Sequence, residues 1–148
     1  MNRPTLLRTA IAAGSIAIAA VHLRLYFTAY RDVPIENLGR SFVLNAIAAT
    51  FAAAVVLVVK NRSAILVPLT VANATLVAFG MSRTSNGIFG FTERGWTPTP
   101  DAAVAVIAEI VTAVLCVVAL ASLATRRTAT DPSASRSTPD NSDTRSVR

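Results

Sequence analysis

The sequence has few charged residues for its length. Of its 148 residues, 15% are charged and 53% are apolar, whereas about 25% of the residues in an ordinary soluble domain are charged. A chain of this length forms one domain, and its surface-to-volume ratio is too high to hide four apolar blocks from water. The composition therefore excludes a soluble enzyme, a disulfide-rich scaffold and a disordered regulator.

Cysteine and lysine are almost absent as well. Cys116, the only cysteine, lies inside an apolar block, so an internal disulfide and a CxxC redox pair are excluded. The basic residues are thirteen Arg and one Lys, a composition typical of high-GC bacteria. They give a net charge of +6 but flank the apolar blocks, as membrane topology signals do, instead of forming a basic face. We therefore expect no nucleic-acid partner.

Four apolar blocks are long enough to cross a membrane as helices, at about residues 6–30, 41–59, 64–81 and 102–124. A span needs about 20 mostly apolar residues, and a helix satisfies its own backbone hydrogen bonds in lipid. We predict an all-α fold, an integral membrane four-helix bundle of residues 1–125 in contact with membrane lipids. Residues 126–148 are rich in Ser, Thr, Asp and Arg and are predicted to form a disordered cytoplasmic tail.

The first block also has features of a signal peptide, with Arg3 and Arg8 before an apolar run and small residues at Ala17 and Ala19. Apolar and aromatic residues nevertheless continue to Tyr30. We expect a retained helix, whereas cleavage would leave three spans.

The basic residues near the ends of the spans predict the orientation. One side has six of them, Arg3, Arg8, Lys60, Arg62, Arg126 and Arg127, and the other has four, Arg31, Arg40, Arg83 and Arg94. We predict a bacterial cytoplasmic membrane protein with both termini in the cytoplasm. The loops at residues 31–40 and 82–101 then face outward.

Each span has one polar side chain in its outer half. Glu109 and His22 each lie about 12 Å from the outer end of their span at 1.5 Å per residue, Asn73 is at a similar depth, and Asn45 is closer to that end. His22, Tyr26 and Tyr30 share one helical face, which we expect to point inward while Arg24 reaches toward the headgroups.

Glu109 and Thr112 are expected to face His22, and the buried carboxyl is expected to be neutral or to share a proton with the imidazole. The predicted intramembrane polar cluster contains His22, Tyr26, Asn45, Asn73, Glu109 and Thr112. These residues either serve a function, as ionisable groups in a span do by default, or form hydrogen bonds that hold the helices together. One His and one Glu are too few ligands for a metal, no second axial haem ligand is evident, and no catalytic constellation is apparent, so no metal and no cofactor are predicted.

The outer loops contain a second candidate surface, formed by Arg31, Pro34, Phe89, Phe91, Glu93 and Trp96. Its aromatic residues either belong to an interfacial belt or form a lid or partner-docking surface. We also expect small residues to pack the first two helices closely, at Ala13/Ala17, Ser15/Ala19 and Ala49/Ala53.

The run of His22, Tyr26, Tyr30, Pro34, Gly39, Phe42 and Asn45, followed by the segment GIFGFTE and by Glu109, resembles small four-helix membrane proteins of high-GC bacteria. The resemblance covers residues 6–118. It supports four spans and implies no activity.

Three functions are compatible with these features. The first is a non-enzymatic accessory or assembly module that binds a membrane-protein partner or a second copy of itself. The second is a small transporter or ligand-binding bundle that uses Glu109. The third is a lipid-acting membrane enzyme with His22 and Glu109 as acid and base, which lacks a recognised nucleophile or metal motif, so the sequence favours a protein that is not an enzyme.

Overall fold

The computed structural model describes residues 3–129. In this range the chain forms four long helices and two short helical turns. They are α1 (Arg3–Leu25), a π-helical turn (Tyr26–Tyr30), α2 (Leu38–Val58), a 3₁₀ turn (Ser63–Ile65), α3 (Leu66–Ser82) and α4 (Asp101–Ala129). By length and composition, four segments are suited to crossing a membrane. The all-α, four-helix prediction is confirmed.

The predicted cytoplasmic tail begins within a helix. Helix α4 continues through residues 126–129, and the rest of the predicted tail, 130–148, lies outside the described residues. At its other end α4 begins at Asp101, whose carboxylate lies at the positive end of the helix dipole. Its pairing with the exposed Arg24 at 2.9 Å ties this end of α4 to the end of α1.

Consecutive helices run in opposite directions, so the connections at residues 31–37 and 83–100 lie at the same end of the bundle, called the outer end below. Helix α1 packs against both α2 and α4, and among the neighbouring pairs of long helices the contact between α2 and α3 is the smallest. The middle of the core consists of Ile18 and four small side chains, namely Ala19, Ala46, Ala49 and Ala72. Small residues let helix backbones approach closely when little hydrophobic driving force exists between them.

Some of the expected small-residue contacts form and others do not. Ser15, Ala19, Ala49 and Ala53 are buried, whereas Ala13 and Ala17 are exposed. Helices α1 and α4 approach each other closely at Gly14, where a Cβ atom would lie 2.3 Å from Oγ1 of Thr112.

Arg8 ties the inner ends of α1 and α2 together. Its guanidinium donates to the carbonyl oxygens of Val56, Val59 and Asn61 at 2.7–2.9 Å. The last carbonyls of a helix have no partner within it and carry partial negative charge. Arg8 therefore caps α2 and closes the inner end of the bundle.

Candidate functional site

A cavity of about 390 Å³ lies in the outer half of the bundle, between the helices and beneath the loop of residues 83–100. Its walls are largely apolar and aromatic, and include Leu25, Leu38, Phe42, Phe79, Phe91 and Val106. Polar side chains from all four helices face it at depth, namely His22 of α1, Asn45 of α2, Thr75 of α3 and Glu109 of α4. A mostly apolar cavity with a few converging polar groups is the usual form of a small-molecule site.

Glu109 is the most unusual residue of this cavity. Its side chain is 1% exposed, and neither carboxyl oxygen has a hydrogen-bond partner among the described residues. The nearest titratable group is His22, whose Nε2 lies 3.5 Å from Oε1 of Glu109. This separation allows an electrostatic interaction but exceeds a good hydrogen bond.

The tautomer of His22 follows from its other nitrogen. Nδ1 lies 2.9 Å from the carbonyl oxygen of Ile18, one helical turn earlier. A carbonyl oxygen can only accept a hydrogen bond, so Nδ1 carries a hydrogen. Nε2 is therefore the nitrogen that gains or loses a proton, and it is the one that faces Glu109.

Asn45 joins α2 to α3 at the side of the cavity. Its carboxamide lies 3.0 Å from Oγ1 of Thr75, and the same hydroxyl lies 2.9 Å from the carbonyl oxygen of Val71. The remaining polar atom of the Asn45 amide is buried without a partner among the described residues. Asn45 thus adds a third unsatisfied polar atom to the two carboxyl oxygens of Glu109.

A network of polar side chains surrounds the mouth of the cavity. Tyr30 stacks on Phe42 with ring centroids 4.2 Å apart, and its hydroxyl donates to Oε1 of Glu93 at 2.6 Å. Arg83 donates to the other oxygen of Glu93 at 3.1 Å and to the hydroxyl of Ser82. Because donor and acceptor come from α1 and the outer loop, the network fastens the loop over the bundle.

Arg83 also organises the loop itself. It donates to the carbonyl oxygens of Gly95 and Thr97, and its guanidinium carbon lies 3.8 Å from the ring centroid of Phe79. These contacts occupy the planar guanidinium on several sides, as a bidentate or stacked arginine allows. The positive charge of Arg83 is therefore held at the cavity mouth by these contacts.

The π-helical turn determines which tyrosine faces the cavity. The amide of Arg31 donates to the carbonyl oxygen of Tyr26 at 2.8 Å, a bond that spans five residues instead of four. The extra residue in this turn rotates the side chains that follow it about the helix axis, relative to their positions in a regular α-helix. Tyr30 is buried in the cavity wall, whereas Tyr26 is half-buried and packs beside Gly39.

Two other residues of the predicted polar cluster lie outside the cavity. Asn73 is exposed, and its amide donates to the carbonyl oxygen of Leu69 at 2.8 Å. Thr112 is buried against Gly14 and donates to the carbonyl oxygen of Ala108 at 2.7 Å. The structure thus brings together His22, Asn45 and Glu109 but not Tyr26, Asn73 or Thr112.

The residues of the predicted outer-loop surface likewise do not form one surface, because some line the cavity and others are exposed. Phe91 and Glu93 are largely buried and line the cavity, while Phe89 lies at its edge with 54% of its surface exposed. Trp96 is 55% exposed and packs on Phe79 at 5.7 Å. Arg31 and Pro34 are exposed on the other outer loop.

Three contributors to the site were not identified as site residues from the sequence, namely Tyr30, Thr75 and Arg83. Tyr30 was assigned only to a helical face, and Arg83 was considered only in the charge count. An arginine directly after a span and an acidic residue in the same outer loop are compatible with a loop ion pair. Nothing in the sequence indicates that this pair closes a cavity.

The residues at the cavity suit an organic molecule better than a metal ion. Among residues 3–129 there is no group of three or more His, Cys, Asp or Glu side chains that could hold a metal. No protein-family model, curated protein or solved structure matches the chain. The function is therefore inferred from the geometry of the site.

Proposed function

We propose that the chain is an integral membrane protein that binds a small, largely apolar molecule in the outer cavity. The supporting observation is that Glu109 faces an apolar cavity and that neither of its carboxyl oxygens has a hydrogen-bond partner within residues 3–129. An ionisable group inside a membrane span costs about 2.5–3.5 kcal/mol on insertion scales and is rarely retained without a role. A ligand that contacts Glu109 would provide that role.

The exposed side chains of the helices support a membrane location. Large apolar residues cover the outside of the bundle, including Phe27, Leu44, Ile47, Phe51, Val77, Ile107 and Val114. Such a surface is unfavourable in water and favourable in lipid. The charge count favours an orientation with the inner end and both termini in the cytoplasm and with the cavity in the outer half of a bacterial cytoplasmic membrane.

The shape of the cavity supports entry of the ligand from the lipid. Leu44 of α2 and Ala74 of α3 are both exposed on the outside of the bundle and also line the cavity. Among the neighbouring pairs of long helices, these two have the smallest contact with each other. A lipid-soluble molecule would therefore enter sideways between α2 and α3, beneath the loop closed by Arg83.

A cavity-filling substitution tests this function. Ala78→Phe places a ring in the cavity wall of α3 and is expected to weaken binding at least about tenfold, because the added volume excludes the ligand. The measurement is fluorescence titration of purified protein in lipid nanodiscs with two naphthalene probes, 1-naphthylmethylamine and 1-naphthylmethanol.

The matched control is Ala17→Phe, which adds the same ring to an exposed position on α1 and is expected to leave binding unchanged. Equal loss in both variants, or no loss in Ala78→Phe, would contradict a ligand site in this cavity. Failure of both probes to bind the parent protein would contradict it too.

A second function, the accessory or assembly module, is supported by a different observation. Ile88 and Phe91 pair through two backbone hydrogen bonds, and between them Phe89 has φ 53° and projects from the hairpin tip. A bulky residue with positive φ is uncommon and marks functional segments. An exposed aromatic held in this way suits contact with a membrane-protein partner.

Phe89→Ala with Trp96→Ala tests the accessory function. The double variant is expected to lose a partner polypeptide in native mass spectrometry of protein gently extracted from its own membrane. Trp96→Ala alone, at a residue that does not line the cavity, is expected to keep ligand binding there. Retention of the same partner at the same stoichiometry would contradict a docking role for these residues. The lipid-acting enzyme has no comparable observation in its favour.

A further inference from the structure

We propose that the ligand is a lipophilic organic ammonium ion that binds Glu109 and displaces a proton shared by Glu109 and His22. This inference rests on the proposed function of the cavity. It follows from the balance of hydrogen-bond donors and acceptors, from the aromatic side chains at the site, and from the distribution of charge around Glu109.

The first step concerns Asn45. The hydroxyl of Thr75 lies near both the Asn45 carboxamide and the carbonyl oxygen of Val71, but a hydroxyl has one hydrogen to donate. Two oxygen atoms at hydrogen-bond distance need a hydrogen between them, and the carbonyl of Val71 cannot donate one, so we assign the Thr75 hydrogen to Val71. The atom of Asn45 beside Thr75, which the structure places as Oδ1 with Nδ2 unpartnered among the described residues, is then reassigned as a donor. Turning the carboxamide over satisfies this, because Nδ2 then donates to Thr75.

After this assignment the unpartnered atom of Asn45 is Oδ1, a hydrogen-bond acceptor. Glu109 adds two carboxyl oxygens that have no hydrogen-bond partner in the described part of the chain. The hydrogen on Nδ1 of His22 is already committed to Ile18. The unsatisfied groups at the cavity are thus mainly hydrogen-bond acceptors. An alkylammonium group has several N–H donors and therefore complements them.

The second step concerns the aromatic rings. Tyr30, Phe42 and Phe91 all line the cavity, with Tyr30 stacked on Phe42 and meeting the edge of Phe91 at 5.9 Å. Aromatic faces attract organic cations, by about 0.5–1 kcal/mol at exposed sites and more in a desolvated site. They also provide the apolar contact that a lipophilic ligand needs.

The third step concerns charge. The titratable or charged residues lining the cavity are His22 and Tyr30 from α1 and its π-helical turn, Arg83 and Glu93 from the outer loop, and Glu109 from α4. Arg83 is paired with Glu93 and stacked on Phe79. The Tyr30 hydroxyl is likewise engaged by Glu93. Among these residues only His22 is left to neutralise Glu109.

A buried carboxylate without a counter-charge is strongly unfavourable. In the empty cavity one proton therefore lies on either Oε1 of Glu109 or Nε2 of His22, and both arrangements leave the pair without net charge. When an ammonium group contacts the carboxylate, it supplies the positive charge and keeps all its own N–H bonds. The shared proton passes to water, and His22 remains neutral with its hydrogen on Nδ1.

The probes 1-naphthylmethylamine, which is protonated at neutral pH, and 1-naphthylmethanol, which is neutral, distinguish the possible ligand classes. Both are titrated calorimetrically into the full chain in nanodiscs of zwitterionic lipid, in two buffers with different ionisation enthalpies. The amine is expected to bind at least about 30-fold more tightly and to release about one proton per molecule bound.

Equal affinity of the two probes would overturn the ammonium inference and leave the proposed function intact. Failure of both probes would overturn the two together. Tight binding of the amine without proton release would overturn the displacement step. Lowering the pH by one unit from about 7 is expected to weaken amine binding about tenfold, because protons compete for the pair.

Glu109→Gln tests whether Glu109 is the residue that makes the cavity prefer the amine over the alcohol. It is expected to abolish the preference for the amine, with about a 30-fold loss or more for the amine and less than about twofold change for the alcohol. Binding of the alcohol shows that the variant is folded. Glu36→Gln makes the same chemical change at an exposed position and is expected to keep the full preference. An unchanged preference in Glu109→Gln would overturn the proposal.

Discussion

Glu109 occupies a position where an apolar side chain would pack with less cost. It is 1% exposed and has no hydrogen-bond partner among the described residues. Replacing a buried polar group by an apolar one of similar volume is often neutral or stabilising. Residues that lower stability in this way are commonly retained for function.

Glu109→Met is therefore expected to raise the free energy of unfolding of the empty protein by about 1 kcal/mol or more. The measurement is thermal or denaturant unfolding in detergent, with Glu36→Met as the exposed control, expected to stay within about 0.5 kcal/mol of the parent. A clear loss of stability in Glu109→Met would mean that the carboxyl supports the fold.

Gly14 is required where α1 crosses α4. A Cβ atom there would lie 2.3 Å from Oγ1 of Thr112, whose hydroxyl is held by the carbonyl oxygen of Ala108. Gly14→Ala is expected to lower the unfolding free energy by about 1–3 kcal/mol, because α1 must move or Thr112 must give up its hydrogen bond. The midpoint of thermal unfolding measures the change.

Gly80→Ala is the matched control, because a Cβ atom at that helical position meets nothing within 4 Å. It is expected to be neutral or stabilising, since alanine favours a helix by about 1 kcal/mol over glycine. Adding Thr112→Ala to Gly14→Ala is expected to restore part of the lost stability. A similar change in both single glycine variants would argue against a tight crossing at Gly14.

At the scale of elements, the outer loop of residues 83–100 depends on Arg83. Its guanidinium binds Glu93, two loop carbonyls and the ring of Phe79. Glu93 in turn accepts from Tyr30 at the end of α1. The loop is therefore attached to the bundle through side chains at the mouth of the cavity.

Arg83→Gln is expected to increase amide hydrogen exchange at residues 82–97 about tenfold. A loss of roughly 1.4 kcal/mol in local opening corresponds to that factor, and hydrogen bonds to charged groups contribute about this much. Arg94→Gln, an exposed change in the same loop, is the control. Equal exchange in both variants would argue that Arg83 does not hold the loop.

The elements also show where helical periodicity succeeds and where it fails. It correctly separates the buried His22 from the exposed Arg24, because α1 is regular at that point. It does not predict the positions of Tyr26 and Tyr30, because the π-helical turn changes the angle between them. Sequence spacing assumes a constant helical pitch, and a single extra residue in a turn invalidates the assumption.

At the scale of the whole molecule, the four helices place the two longer loops at one end and the short turn of residues 59–62 at the other. If the proposed orientation holds, Ser85 faces outward and Ser63 faces the cytoplasm. Both are exposed serines, and Cys116 is fully buried. The chain is thus suited to labelling at introduced cysteines.

A membrane-impermeant maleimide applied to intact cells is expected to label Ser85→Cys and not Ser63→Cys. Both variants are expected to react once the membrane is permeabilised, and the parent chain is expected to stay unlabelled because Cys116 is inaccessible. Labelling of Ser63→Cys alone in intact cells would reverse the orientation. Labelling of both would contradict a membrane between the two loops.

The number of helices and their approximate ends follow from the sequence, because about 20 consecutive apolar residues form a local pattern that does not depend on neighbouring elements. The depths of His22 and Glu109 follow from the constant rise of a helix. The sequence analysis expects these two side chains to face each other, and in the structure Nε2 of His22 lies 3.5 Å from Oε1 of Glu109.

The cavity itself was decided by tertiary structure. Whether Asn45 or Asn73 faces the bundle depends on the rotation of α2 and α3, and the apolar residues around both helices leave that rotation undetermined. The closure of the mouth by Tyr30, Glu93 and Arg83 joins residues distant in sequence, which no local pattern encodes. Hydrophobic runs therefore determine that helices form, whereas the packing of small side chains determines which polar groups meet.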